Sequence, residues 1–223
     1  MQLKLVLVSL VVLLANGCST IKNDALTAEE SAQLSQKTLV LSRYNELPDF
    51  PAQTALNVQF GLIGYASAVD SGNTIIANNN IADPAYSIAQ KLAAGSATKH
   101  QVNLVELEQS VALDTEIGEL VKRYSNYDYI LDVKTLSWGS IYFPSDWDSY
   151  RVNYATHARL IETKSKKVIV EGSCSHFPEY ADTNDAPSYE ELEDGTGIRK
   201  SLANTVDVCV DYIRTHTQLP QAQ

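Results

Sequence analysis

From Tyr150 to Leu160 the chain alternates between a buried-type face and a polar one. Tyr150, Val152, Tyr154, Thr156, Ala158 and Leu160 fall on one side. Arg151, Asn153, His157 and Arg159 fall on the other, with Ala155 among them. A strand has a side-chain period of two, so this stretch predicts a long strand with one face packed and the other wet. The segment before it, Tyr129 to Trp138, is rich in strand formers. After it, Thr163 to Lys166 makes a polar turn, and Val168, Val170 and Cys174 return on the packed face of a third strand. Together these three segments predict an antiparallel meander.

A meander with one apolar face needs a cover. Ile198 to Thr215 supplies one, since Leu202, Val206, Cys209, Val210 and Ile213 form an apolar stripe at helical spacing. Asp83-Pro84 marks the start of a second helix, because Asp83 can accept from first-turn amides and proline suits the first helical position. Ala85, Ile88, Ala89 and Leu92 make its apolar face, and Gly95 is placed to close it. A further helix follows Asp114, with Leu113, Ile117, Leu120 and Val121 in register.

Shorter strands are expected at Lys37–Ser42, around Leu39-Val40-Leu41, and at Val102, Leu104 and Glu106. Another is expected where Leu56, Val58, Phe60 and Leu62 alternate with Asn57, Gln59 and Gly61. Leu47-Pro48-Asp49-Phe50-Pro51 reads as a turn or extended segment, Asp70 to Asn73 as a turn, and Asn78 to Asn80 as a loop. Gly61 to Gly64 is compatible with a close backbone approach, a hairpin or a helix start. Strand, strand, helix, strand, helix, three strands, helix is the resulting order. It predicts an α+β fold, a sandwich of α/β type, in which a mixed sheet with a C-terminal antiparallel meander is covered by helices on one face.

The N-terminus carries a different kind of information. Lys4 precedes an apolar run from Leu5 to Leu14, and Ala15-Asn16-Gly17 leads into Cys18. About ten apolar residues are too few for a bilayer span, which needs roughly 20, so residues 1–17 read as a secretory signal peptide. A small residue followed directly by cysteine resembles the lipobox of bacterial lipoproteins, except that Ala15 stands where that family usually has leucine. The resemblance implies lipidation of Cys18 by acyl chains such as palmitate, and cleavage before it. Ser19, rather than aspartate, implies sorting to the outer membrane, with the domain facing the periplasm. The alternative is a soluble secreted protein cut near Gly17. Residues 18–36 read as a lipidated polar tether, with Thr27 to Glu30 at capping-box spacing for a short helix ending near Leu34. The domain is expected to span residues 37–217, and residues 218–223 form a tail.

With a net charge of −10, the chain lacks the basic footprint that nucleic acid or anionic lipid headgroups require. Lipid on Cys18 is then the expected membrane attachment. The other two cysteines, Cys174 and Cys209, would lie in an oxidising compartment and on predicted core faces. They are read as a disulfide, against the alternative of two buried thiols that do not meet.

No catalytic constellation emerges. His100, His157, His176 and His216 show no metal-ligand spacing, and His157 reads as surface because Arg151 and Arg159 flank it. Gly172-Ser173-Cys174-Ser175 lacks the second glycine of a nucleophile elbow, and glycine-rich phosphate loops are absent. Asp182 to Asp185 begins like a calcium loop but has Ala186 at the fifth position and no glycine at the sixth. The acidic run Glu190 to Asp194 reads instead as the start of a helix capped by Ser188. No catalytic residue, cofactor or metal is therefore expected. The surface candidate is the connection between the first two meander strands, which holds Trp138, Tyr142, Phe143, Trp147 and Tyr150. Aromatics on a hairpin tip suit partner binding, and the competing reading folds them back as a satellite core.

The run Tyr129 to Val133, then Trp138, Tyr150 to Ile161, Glu162-Thr163-Lys164 and Val168 to Gly172 resembles small envelope lipoproteins of the curli-secretion and penicillin-binding-protein-activator type. The resemblance covers roughly residues 100–215. It departs from their pattern where Ser165-Lys166 replaces the usual turn glycine. It implies their topology, and a non-catalytic role assisting larger envelope machines through a protein partner. A periplasmic enzyme acting on cell-wall or lipid material is the alternative, and a subunit of a homo-oligomeric ring is a third reading.

Overall fold

The computed structural model describes residues 23–221. Residues 1–17, expected as a signal peptide, and Cys18 lie outside the described residues. From Asn23 onward the chain is already part of the domain. Asp24 exchanges backbone hydrogen bonds with Glu171, and the Leu26 amide donates to the Thr217 carbonyl at 2.8 Å. Leu26 and Leu34 are buried, so the stretch 23–36, expected to be tether, packs on the domain. Within it, helix α1 (Ala28–Gln33) is closed by the reciprocal Thr27–Glu30 capping box.

The sheet is mixed. Its strands are β1 (Thr38–Leu41), β2 (Ala52–Gln53), β3 (Asn103–Val105), β4 (Tyr129–Phe143), β5 (Asp146–Glu162) and β6 (Lys167–His176). They lie in the order β3-β1-β4-β5-β6, with β2 pairing β4 beyond the end of β1. Contacts among the first strands are parallel, while β4, β5 and β6 form the antiparallel meander. Every residue assigned to the inner face of β5 is buried.

Two irregularities decide which side chains face the core. One extra residue at Leu136 shifts the register between β4 and β5, which turns Trp138 onto the same face as Tyr154. Another lies between Leu160 and Ile161, where β5 pairs β6. There Val168, expected beside Val170 on the main core face, packs instead against the cluster on the opposite side.

The remaining helices are α2 (Gly61–Asn78), α3 (Pro84–His100), α4 (Ile117–Arg123), α5 (Tyr189–Glu193) and α6 (Thr196–Thr217). Helices α3 and α6 cover the main face, burying Ile88, Leu92, Leu202, Cys209, Val210 and Ile213 against Leu131, Val152 and Leu160. Cys174 of β6 and Cys209 of α6 are joined, with Cα atoms 5.4 Å apart. On the far face α4 adds a smaller cluster, in which Leu120, Val121 and Tyr124 meet Val40, Ile130 and Ile161.

Asp83 caps α3 through the Ala85 amide at 2.9 Å, as its sequence predicts. Gly95 does not end that helix. It is buried within it, and Gln101 supplies the left-handed cap six residues later.

The largest departure falls between residues 54 and 78. The alternating run Leu56 to Leu62 is not a strand. A 3₁₀ turn covers Asn57–Phe60, and α2 begins at Gly61, resolving the Gly61–Gly64 ambiguity toward a helix start. Asp70 to Asn73, expected as a turn, lies inside α2. Thr54 and Asn57 nucleate this turn, each amide donating to the other's side-chain oxygen, at 2.8 and 3.2 Å.

Candidate functional site

The aromatic hairpin folds mostly inward. Trp138 is buried, its Nε1 donates to the Pro48 carbonyl at 2.8 Å, and its ring meets Phe50 edge-on at 5.3 Å. Tyr150 is buried, and Phe143 lies beneath the Arg151 guanidinium at 4.1 Å. Tyr142 is half-buried. The strands continue to a two-residue turn at Pro144-Ser145, so no long tip exists to display these rings. Trp147 alone of the five points out, at 64% exposure. Tyr142 faces Tyr150 while Phe143 faces Asp146, which leaves Trp147 in a three-residue bulge. Asp146 holds that bulge by accepting from the Ser149 hydroxyl at 2.7 Å.

Large exposed apolar side chains gather elsewhere, around the 3₁₀ turn and the start of α2. Leu56, Phe60, Leu62 and Ile63 are 68, 62, 88 and 81% exposed, and Val58 and Tyr65 are exposed beside them. Only Gly64, Ala68, Gly72 and Ile76 of α2 are buried. Gly72 lies hard against the backbone of residues 50–52, where an added Cβ would meet the Phe50 carbonyl oxygen at 1.7 Å. Gly64 meets only the 3₁₀ turn, at the Asn57 carbonyl. The helix is therefore held by its C-terminal half, and its first two turns project as an apolar tip. An aliphatic pair flanked by Phe60 and Tyr65 can bury a large area on a partner at low entropic cost.

A second cluster lies on the far face of the sheet. Asp132 is fully buried and accepts from the Ser42 and Tyr44 hydroxyls, each at 2.6 Å. Arg159 donates to its other oxygen through Nε and Nη2, at 3.0 and 2.5 Å. Burial, then the Asp132 charge, pushes the Tyr44 hydroxyl far above its usual value. Burial opposes the Arg159 charge, but the Asp132 carboxylate, together with Tyr44 and Glu171, more than offsets it and raises the guanidinium pKa. His157 sits next to this group and meets Glu171 at 2.8 Å. Burial and then Arg159 lower its pKa, against the pull of Glu171. His157 is thus part of a packed polar network and not the surface residue its neighbours suggested. Each oxygen of Asp132 has its partners, so this arrangement is suited to fixing the sheet.

A cleft of about 350 Å³ opens between the β6–α5 connection and α6, lined by Tyr180, Asn184, Glu191, Lys200 and Asn204 among others. His176 borders it, with a pKa lowered by burial and an Nε2 that is buried without a partner. Asp182 caps the 3₁₀ turn Thr183–Asp185 through the Asn184 amide. Among the described residues, no three His, Cys, Asp or Glu side chains are grouped to hold a metal.

No family model matches the chain, and no curated protein does. Solved structures do. A PelC dodecamer from Paraburkholderia phytofirmans is 13% identical, with a TM-score of 0.41, over 92% of this chain and 99% of that one. Lipoprotein GNA1162 from Neisseria meningitidis is 12% identical, with a TM-score of 0.32, over 77% and 99%. The LpoB C-terminal domain from Salmonella enterica is 12% identical, with a TM-score of 0.29, over 64% and 83%.

Two local signals in the sequence mark these features. The Thr54-x-x-Asn57 spacing announces a helical turn in spite of the alternation after it. Asp132 stands within an apolar run on β4, and a lone acid in such a run needs a buried cation or donors.

Proposed function

We propose that this chain is a non-catalytic envelope lipoprotein whose domain assembles with other envelope components through the apolar tip of α2. The observation that carries the proposal is the exposure of Leu62 and Ile63, the most exposed large apolar side chains among the described residues. Folded domains seldom leave such a group to water unless something covers it. The N-terminal pattern ending at Cys18 supports export and acylation, and Ser19 supports residence at the outer membrane, facing the periplasm.

Two measurements test it. The Cys18→Ser protein should incorporate no labelled fatty acid and should leave the membrane fraction; persistent labelling defeats the lipid anchor. Detergent-extracted full-length protein should run on a sizing column as a complex larger than one chain, and Leu62→Asp with Ile63→Asp should return it to the size of a monomer. A monomer before substitution would remove the assembly role.

A further inference from the structure

Strand β2, which leads into the α2 tip, and β6, which holds the start of the described chain, lie on opposite edges of the sheet. Asp24 bridges Glu171 on β6; Glu171 faces Arg159 on β5, and Arg159 faces Asp132 on β4. The tip is carried by β2, which joins the other side of β4 at Ser140 and Ile141. Asp132 and Ser140 are eight residues apart, roughly 26 Å along the strand. From Cys18 to Asn23 there are five residues, which extend to at most about 18 Å. A lipid on Cys18 would therefore keep Asn23, and with it the β6 edge, near the bilayer.

Charge narrows what could cover the tip. No lysine or arginine occurs between Arg43 and Lys91, whereas Glu46, Asp49 and Asp70 are exposed acids in that stretch. Asp70 lies two turns along α2 from Ile63, on the same face. Asp49 borders the same helix, accepting from Asn73 at 2.8 Å. Asp70 thus sets an acid beside the tip, and Asp49 another farther along α2. In a two-fold contact between copies, one acidic border would meet another, and each chain carries −10 overall. An anionic bilayer surface repels such a border equally.

We infer that the α2 tip docks into an apolar groove, edged by lysine or arginine, on a different envelope protein. The inference rests on the assembly role proposed above and names the class of partner. Leu62 and Ile63 fill the groove and are responsible for most of the affinity, while Asp70 meets the basic edge and steers the approach.

Site-specific photocross-linking tests it in intact envelopes, with p-benzoylphenylalanine at position 62 of the full-length chain and, as control, at position 200. Position 62 should give a covalent adduct with a different protein, and peptide mapping should place the cross-link in an apolar groove flanked by Lys or Arg. Position 200 should give none. Ile63→Asp should lower the adduct yield at least about ten-fold. Asp70→Lys should lower it about two- to five-fold, and raised salt should act in the same direction. Unchanged thermal melting would show that both variants fold. An adduct of twice the chain mass, or flotation with phosphatidylethanolamine–phosphatidylglycerol vesicles that Ile63→Asp abolishes, would overturn the inference in favour of a second copy or a lipid surface. Either would leave the assembly role standing. A yield increased by Asp70→Lys would reject the basic edge, and no adduct together with a monomeric extract would reject both readings.

Discussion

Arg159 on β5 directly faces Asp132 on β4, and its guanidinium closes on a carboxylate that solvent does not reach. The pair lies under the Ser42 and Tyr44 hydroxyls, so β1 and the segment after it are tied to the meander through one buried anion.

Removing one partner should cost far more than removing both. Arg159→Ala leaves a buried carboxylate without its cation and should destabilise the domain by about 3–5 kcal/mol. Tyr44→Phe should cost about 1.5–3 kcal/mol, the range for a hydrogen bond to a charged group. Combining Asp132→Leu with Arg159→Met should recover much of the Arg159→Ala loss. Urea unfolding midpoints check all three, and an unchanged midpoint for Arg159→Ala would show that the pair contributes nothing.

The Cys174–Cys209 link closes a loop of 35 residues and fastens α6 to β6. In the chain-entropy account such a loop contributes about 4 kcal/mol. Reductant should lower the urea midpoint of the wild type and leave a double Ala variant at those positions unmoved. Non-reducing peptide mass spectrometry should find the two cysteines joined; free thiols at both would reject the link.

Two helical glycines should respond oppositely to alanine. Gly72→Ala forces a methyl against the Phe50 carbonyl, so α2 must shift and stability should fall by about 1–3 kcal/mol, as for an overpacked core. Gly118→Ala meets nothing within 4 Å and should stabilise by up to about 1 kcal/mol through helix propensity. Comparing their melting temperatures tests both.

Stability should fall as pH drops through the histidine range. Burial lowers the pKa of His157, of His100 and of His176 below the ordinary 6.5. The unfolded chain then binds more protons than the folded one. Their contribution is full above about 6.5 and is lost as pH falls toward the folded values. Asp83, whose carboxyl burial raises, acts in the opposite sense as pH rises through its folded value. His157→Gln should therefore flatten the slope of unfolding free energy between about pH 7.5 and 5.5. An equal slope in wild type and variant would assign no part of it to His157.

What could be read in advance was what local order dictates. The β5 alternation, the α6 stripe and the caps at Asp83, Ser188 and Thr27 each depend on residues a few positions apart, and each holds in the structure. The helix beginning at Gly61 is not legible in the alternation before it, because alternation implies a strand only when one face meets a core. Leu56, Phe60 and Leu62 meet none. The hairpin aromatics read equally as an exposed patch or as a folded-back core for a related reason. Trp138 is buried by a carbonyl 90 residues away at Pro48 and by a one-residue bulge at Leu136, and neither leaves a periodic trace.

The sequence by itself determined the fold class, the meander and its helical cover, and the N-terminal pattern that ends at Cys18. Hydrophobic periodicity and chain direction are local properties that single segments carry. Tertiary structure alone decided that Asp132 would be enclosed by Ser42, Tyr44 and Arg159, and that the start of α2 would be left uncovered. Enclosure and exposure depend on what arrives from distant parts of the chain, and at the α2 tip nothing in the described chain arrives.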